Sequence, residues 1–133
     1  MKILVVEDSH SMRAYLTTMI ESDDEADILD IVEASSGFEA LKLLPHHAFD
    51  AILTDINMPD INGLELVSFV KKNPQHRDIP LFIVTTEGRD ADRKRGIALG
   101  ADEYLVKPFE PDELRKLVAR YLKPNTVRET AAV

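Results

Sequence analysis

Short apolar runs rich in β-branched residues alternate along this chain with longer segments of helical period, and this alternation constrains the fold more than any other feature. Runs at Lys2 to Val6, Ile28 to Ala34, Ala51 to Thr54, Leu81 to Thr85 and Tyr104 to Val106 read as five strands. Between them Met12, Tyr15, Leu16, Met19 and Ile20 recur at helical spacing. So do Phe38, Leu41 and Leu44, then Leu64, Val67 and Val70, and last Leu114, Leu117, Val118 and Tyr121. The stretch from Arg89 to Leu99 is mostly charged, so a helix there is expected to be thinly anchored and mobile. Strands apolar on both faces, each followed by a helix, predict a parallel sheet covered on both sides, a doubly wound (βα)5 architecture built from right-handed crossovers. Gly100 suits the residue after a helix end and Pro111 a first helical turn.

A length of 133 residues allows one domain, expected over 1–122, with an aperiodic tail over 123–133; any effector domain is expected on another molecule. Sixteen Lys and Arg against twenty-four Asp and Glu leave a net charge of −8, which repels nucleic acid and anionic lipid. The absence of cysteine excludes a disulfide framework, a thiolate metal site and a thiol nucleophile, and fits a reducing, cytoplasmic setting. The longest apolar runs fall far short of the roughly 18 residues of a membrane span, and no targeting segment or membrane association is expected.

In an open parallel sheet, ligands bind outside the carboxyl ends of the strands, where the strand order reverses. The predicted strand ends carry Glu7 and Asp8, Asp55, Thr85 with Thr86, and Lys107. Acids after a strand often only cap the next helix, which is an even-handed reading of Glu7 and Asp8 alone. Asp55 follows a buried-type run, and three carboxylates at one mouth would repel each other and hold their protons unless a cation joined them. Hard oxygen donors without His or Cys suit Mg²⁺. Three acids against Mg²⁺ and Lys107 balance to zero, a site prepared for an added phosphoryl group. In such a transfer Asp55 would be the nucleophile, with the metal and Lys107 neutralising phosphoryl oxygens and the Thr85 hydroxyl hydrogen-bonding one of them.

Four motifs in order carry a resemblance: Val5-Val6-Glu7-Asp8-Ser9 with Met12-Arg13; Thr54-Asp55-Ile56-Asn57-Met58-Pro59 with Asn62-Gly63; Val84-Thr85-Thr86-Glu87; and Gly100 to Phe109 around Lys107-Pro108. Over about residues 1–122 the chain resembles the receiver domains of two-component response regulators, of the stand-alone chemotaxis (CheY-like) type. The resemblance implies a flavodoxin-like sheet of order 2-1-3-4-5 with helices on both faces. It implies Asp55 as the phosphoacceptor, with Glu7, Asp8, Asp55 and the Asn57 backbone carbonyl serving Mg²⁺, or Mn²⁺ in its place. It further implies Lys107 on the phosphoryl group, Thr85 and Tyr104 as a switch whose ring swings inward from an exposed rotamer, and Asn57 with Glu87 tuning dephosphorylation. The Lys107-Pro108 bond is expected to be cis. Glu7 departs from the chemotaxis pattern, where a shorter Asp stands, and should reach the metal through water.

The implied partners are a histidine kinase and a protein target. The target would meet a face built from helix 89–99, the fifth strand and the last helix, where Ile97, Tyr104, Lys116 and Arg120 would be exposed. A chemotaxis or flagellar output is one option the resemblance leaves open, in a protein expected to be no turnover enzyme but to promote its own phosphorylation and dephosphorylation. A monomer is expected, with a phosphorylation-induced dimer as the alternative. A second reading is a phosphorelay intermediate that hands its phosphate to a histidine phosphotransfer protein. A haloacid-dehalogenase-like phosphatase would need an Asp where Asn57 stands, and an FMN carrier would need a hydroxyl- and glycine-rich cradle where Glu7 and Asp8 stand. No Gly-x-Gly-x-x-Gly follows the first strand, which excludes a dinucleotide site. His46, His47 and His76 fall in polar loops, and His10 reads as a solvated helix-start residue.

Overall fold

A computed structural model of the chain describes residues 2–21, 30–58, 60–86, 88–107 and 110–121. Five parallel strands, β1 (Lys2–Val6), β2 (Asp30–Ala34), β3 (Ala51–Thr54), β4 (Leu81–Thr85) and β5 (Glu103–Val106), form one sheet in the order β2-β1-β3-β4-β5. Helices α1 (His10–Glu21), α2 (Gly37–Leu43), α3 (Gly63–Lys72), α4 (Asp90–Leu99) and α5 (Pro111–Tyr121) follow the strands in turn. The strand order reverses between β1 and β3, which places the ligand-binding edge at their carboxyl ends.

The period-two alternation of side chains along a strand divides the interior into two layers. Leu4, Val6, Ile52 and Ile83 join Ala40 of α2 and Val67 of α3 on one face of the sheet. Ile3, Val5, Leu53 and Phe82 join Leu16 of α1 and Leu114 of α5 on the other. β1, β3 and β4 are buried on both faces, as a central parallel strand requires. β2 departs from the expected doubly apolar pattern: it is an edge strand, and Asp30 and Glu33 are exposed. Its predicted first residues, 28 and 29, lie outside the described residues, as do the tail over 123–133 and the expected loop features at Pro59, Glu87 and Pro108.

Local chemistry sets the element ends. The Ser36 hydroxyl caps α2, which tightens at Pro45 into a 3₁₀ turn over Leu44–His46. Asn62 and Glu65 close a reciprocal capping box on α3. Gly100 ends α4 with φ of 115°, a left-handed conformation that a Cβ would strain, and α5 begins at Pro111 as expected. α4 is thinly anchored: Gly96 is its buried residue, and Ile97 is 47% exposed. Among the described residues no helix is long and apolar enough to cross a membrane.

Candidate functional site

The carboxyl edge of the sheet gathers side chains from loops far apart in sequence. The Glu7 amide donates to the Ala34 carbonyl (3.0 Å) and the Asp55 amide to the Val6 carbonyl (3.1 Å), so the ladder extends one residue past β1 and β3 before the chain turns away. The Lys107 amide donates to the Thr85 carbonyl (2.7 Å), which does the same for β5 against β4. β1, β3 and β5 therefore deliver their first loop residues to the same edge, because backbone pairing fixes where those residues leave the sheet.

Lys107 Nζ stands between two carboxylates, 3.0 Å from Glu7 Oε1 and 3.4 Å from Asp55 Oδ2, and its side chain is only 8% exposed. Asp55 Oδ1 accepts from the Ile56 amide (2.6 Å), which orients the carboxylate. Glu7 Oε2 accepts from the Ser9 amide (3.2 Å), and the side chain is 3% exposed. Burial pushes the Glu7 carboxyl up to about 6; Lys107 and the Ser9 amide pull it down, while Asp8 and Asp55 add to the rise. Behind Asp55, Gly63 starts α3 and donates its amide to the Ile56 carbonyl (2.8 Å). A Cβ at Gly63 would run into the Asp55 carbonyl group, so the return of the loop depends on glycine.

Of the residues singled out from sequence, Glu7, Asp55 and Lys107 meet directly. Thr85 is wholly buried at the end of β4; Asp8 and Asn57 are exposed on the loops beside them. Tyr104 is 6% exposed, packed over Gly96 with the Arg93 guanidinium 5.1 Å from its ring centre. The exposed ring expected from sequence is therefore not what this structure has, and the surface there is carried by Ile97, Lys116 and Arg120. Glu87 and Pro108 lie outside the described residues, and with them the roles and the cis bond expected there. Arg13, noted in sequence only as part of a motif, reaches the Glu7 and Asp8 carbonyls; its position in the first turn after an acidic loop was the available signal.

Among the described residues no three His, Cys, Asp or Glu side chains are grouped closely enough to enclose a metal ion. Lys107 holds the place between Glu7 and Asp55, and Asp8 faces solvent. The donor chemistry nonetheless fits a hard divalent cation: Glu7, Asp8 and Asp55 are oxygen donors, and with one ammonium facing them the edge is short of two positive charges. What the arrangement offers is an oriented carboxylate beside an ammonium and a buried hydroxyl, at an edge with surplus negative charge.

The sequence matches the response regulator receiver domain family over residues 3–119. It is 39% identical over 117 residues to a chemotaxis protein CheY homolog of Campylobacter jejuni, covering 87% of this chain and 88% of that protein. It is 37% identical over 126 residues to chemotaxis protein CheY1 of Helicobacter pylori, covering 94% and 99%. The fold superposes on the structure of Vibrio cholerae chemotaxis protein CheY4 with a TM-score of 0.81 at 35% identity, covering 91% of this chain and 98% of that one. With its β2-β1-β3-β4-β5 sheet and a family match over nearly its whole length, the chain belongs to the response regulator receiver domains, as a CheY-like signalling domain of two-component systems.

Proposed function

We propose that residues 1–122 act as a cytoplasmic receiver in which Asp55 takes a phosphoryl group from a histidine kinase and the change is read by a protein target. The observation that carries the reading is the Lys107 ammonium held between Glu7 and Asp55 at the carboxyl edge of the sheet. An Asp55 carboxylate oxygen attacks the phosphorus of the kinase's phosphohistidine. The new P–O bond forms as the P–N bond breaks, and the imidazole leaves with the nitrogen electron pair and is reprotonated from solvent. Lys107 faces the Asp55 oxygen that it already touches and neutralises charge on the transferred group. Glu7, Asp8, Asp55 and the Asn57 carbonyl would hold Mg²⁺, or Mn²⁺ in its place. The ion supplies charge neutralisation for the phosphoryl oxygens.

Thr85, buried at the end of the neighbouring strand, is the hydroxyl that answers the new charge, and Tyr104 repacks between α4 and β5 in response. The thin anchoring of α4 lets this bias reach the α4-β5-α5 face, where the target binds. Asn57 and Glu87 tune the return to the unphosphorylated state. The naming of its relatives as chemotaxis proteins supports a chemotaxis output.

The test is labelling by a small phosphodonor with Mg²⁺. Wild type should label and Asp55→Asn should not, and beryllofluoride should shift amide resonances in α4 and β5 only with the cation present. Equal labelling of the two proteins would refute Asp55 as the acceptor.

A further inference from the structure

The β1-α1 loop is held from behind by one side chain. Arg13, in the first turn of α1, donates from Nη1 to the Glu7 carbonyl (2.7 Å) and the Asp8 carbonyl (3.3 Å) and from Nη2 to His10 Nδ1 (3.3 Å). Its Nε donates to Glu33 Oε1 (3.3 Å) on β2, where Glu33 lies in register with Val5 of β1. The Arg13 side chain as a whole is 14% exposed, and the residue's backbone amide donates to the Ser9 carbonyl (2.9 Å). Two nitrogens of one planar group, Nη1 and Nε, thus join the two peptide carbonyls of the acidic loop to the sheet, while the third meets His10. A lysine could not reproduce this, because its ammonium is a single point.

We infer that Arg13 is a positioning residue for cation binding: by fixing the Glu7 and Asp8 peptide units against Glu33, it holds the exposed Asp8 carboxylate in place for a divalent ion. The inference rests on the reading above that Glu7 and Asp8 face such an ion. Two peptide planes pinned by hydrogen bonds determine the direction in which the Asp8 side chain leaves the backbone, so its ordering cost is met by the fold before the ion arrives. Glu33 has a distinct part. A bare guanidinium beside the loop would repel a divalent cation, and the ion pair cancels that charge while leaving the donors engaged.

Positioning and charge then predict opposite signs. If Arg13 acted only as a nearby positive charge, its removal would tighten cation binding; if it positions the loop, removal weakens binding. Mn²⁺ titrated into each protein, with the free ion counted by electron paramagnetic resonance, reads this without phosphorylation. Arg13→Gln should weaken binding about 10-fold. Arg13→Lys, which keeps the charge and loses the fork, should weaken it by a similar factor. Glu33→Gln, a change at a half-exposed side chain that leaves the fold intact, should weaken it roughly 2-fold, fading at high salt. Thermal unfolding confirms that each variant is folded at the titration temperature, and should Arg13→Gln fail to fold, Arg13→Lys and Glu33→Gln decide. Affinity unchanged or tighter in the folded Arg13 variants, with Asp8→Asn weakened, overturns the inference alone. Affinity unchanged in Asp8→Asn overturns the cation reading and the inference with it.

Discussion

Glu7 offers a direct measure of how strongly the site resists its own negative charge. Burial, reinforced by Asp8 and Asp55, raises this carboxyl from its ordinary 4.5 to about 6 in the folded protein. In the unfolded chain it releases its proton near 4.5, whereas the folded protein keeps it until about 6, so the folded state binds more protons between these values. Stability from this group is therefore complete below pH 4.5 and lost as pH rises through 6. At about 1.4 kcal/mol per pH unit, the interval from 4.5 to about 6 corresponds to about 2 kcal/mol, with roughly half of it lost between pH 5 and pH 7.5. With the side chain only 3% exposed, solvent screening takes little from this figure. Urea unfolding of wild type and Glu7→Gln at both pH values, with a chelator present, reads the effect of Glu7 and the groups it touches, since the histidines and the carboxylates away from the site cancel between the two proteins. The amide variant should lose less stability than wild type on going to pH 7.5, by about 1 kcal/mol. Identical pH dependence in the two proteins would show that the carboxyl is not under-compensated and would refute the charge argument for the site.

Two further predictions concern opposite ends of the sheet, Gly63 at the carboxyl edge and Lys71 at the amino edge. Gly63→Ala would place a Cβ within 2.8 Å of the Asp55 carbonyl carbon and the Ile56 Cα, both backbone atoms; the expected loss is about 3 kcal/mol by chemical denaturation, and an unchanged midpoint would mean that the β3-α3 turn can open freely. Lys71 Nζ donates to the Arg77 carbonyl (3.0 Å), the Ile79 carbonyl (2.8 Å) and Asp102 Oδ2 (3.1 Å), and the same Asp102 oxygen accepts from the Leu81 amide (2.8 Å). Lys71→Met should lower stability by about 2 kcal/mol and speed hydrogen exchange at Leu81 and Asp102, a result that unaltered exchange at both amides would contradict.

Local order was legible in the sequence because its causes are local. A strand needs β-branched runs, a helix needs a 3.6-residue stripe, and both periods are written in consecutive residues. β1, β3 and β4 accordingly fall where the runs at Lys2, Ala51 and Leu81 place them, and Gly100 and Pro111 bound their helices as backbone conformation requires. The strand-end residues Glu7, Asp55, Thr85 and Lys107 were legible for a related reason, since a polar side chain at the end of a buried run has few positions other than the sheet edge. Edge strands were less so: Glu33 in β2 reads as an interruption until the sheet order shows one side of that strand open to solvent and to Arg13.

Tertiary structure alone decided which of these groups touch. Glu7 and Lys107 are one hundred residues apart, and their 3.0 Å contact follows from β1 and β5 leaving the sheet at the same edge, a matter of strand pairing that no local window records. The partner that Lys107 takes, the burial of Glu7 that moves its proton affinity, and the inward seat of Tyr104 over Gly96 are properties of packing between distant elements. Arg13 makes the same point within a few residues: its type and position were visible, but the two carbonyls it holds exist as acceptors only once the loop after β1 has turned back over α1 and β2 has brought Glu33 alongside. Sequence period determines which residues arrive at the edge, because side-chain direction follows from backbone repeat. The charges that meet there are set by the packing of the whole sheet, because electrostatic interaction depends on distances that only the folded chain defines.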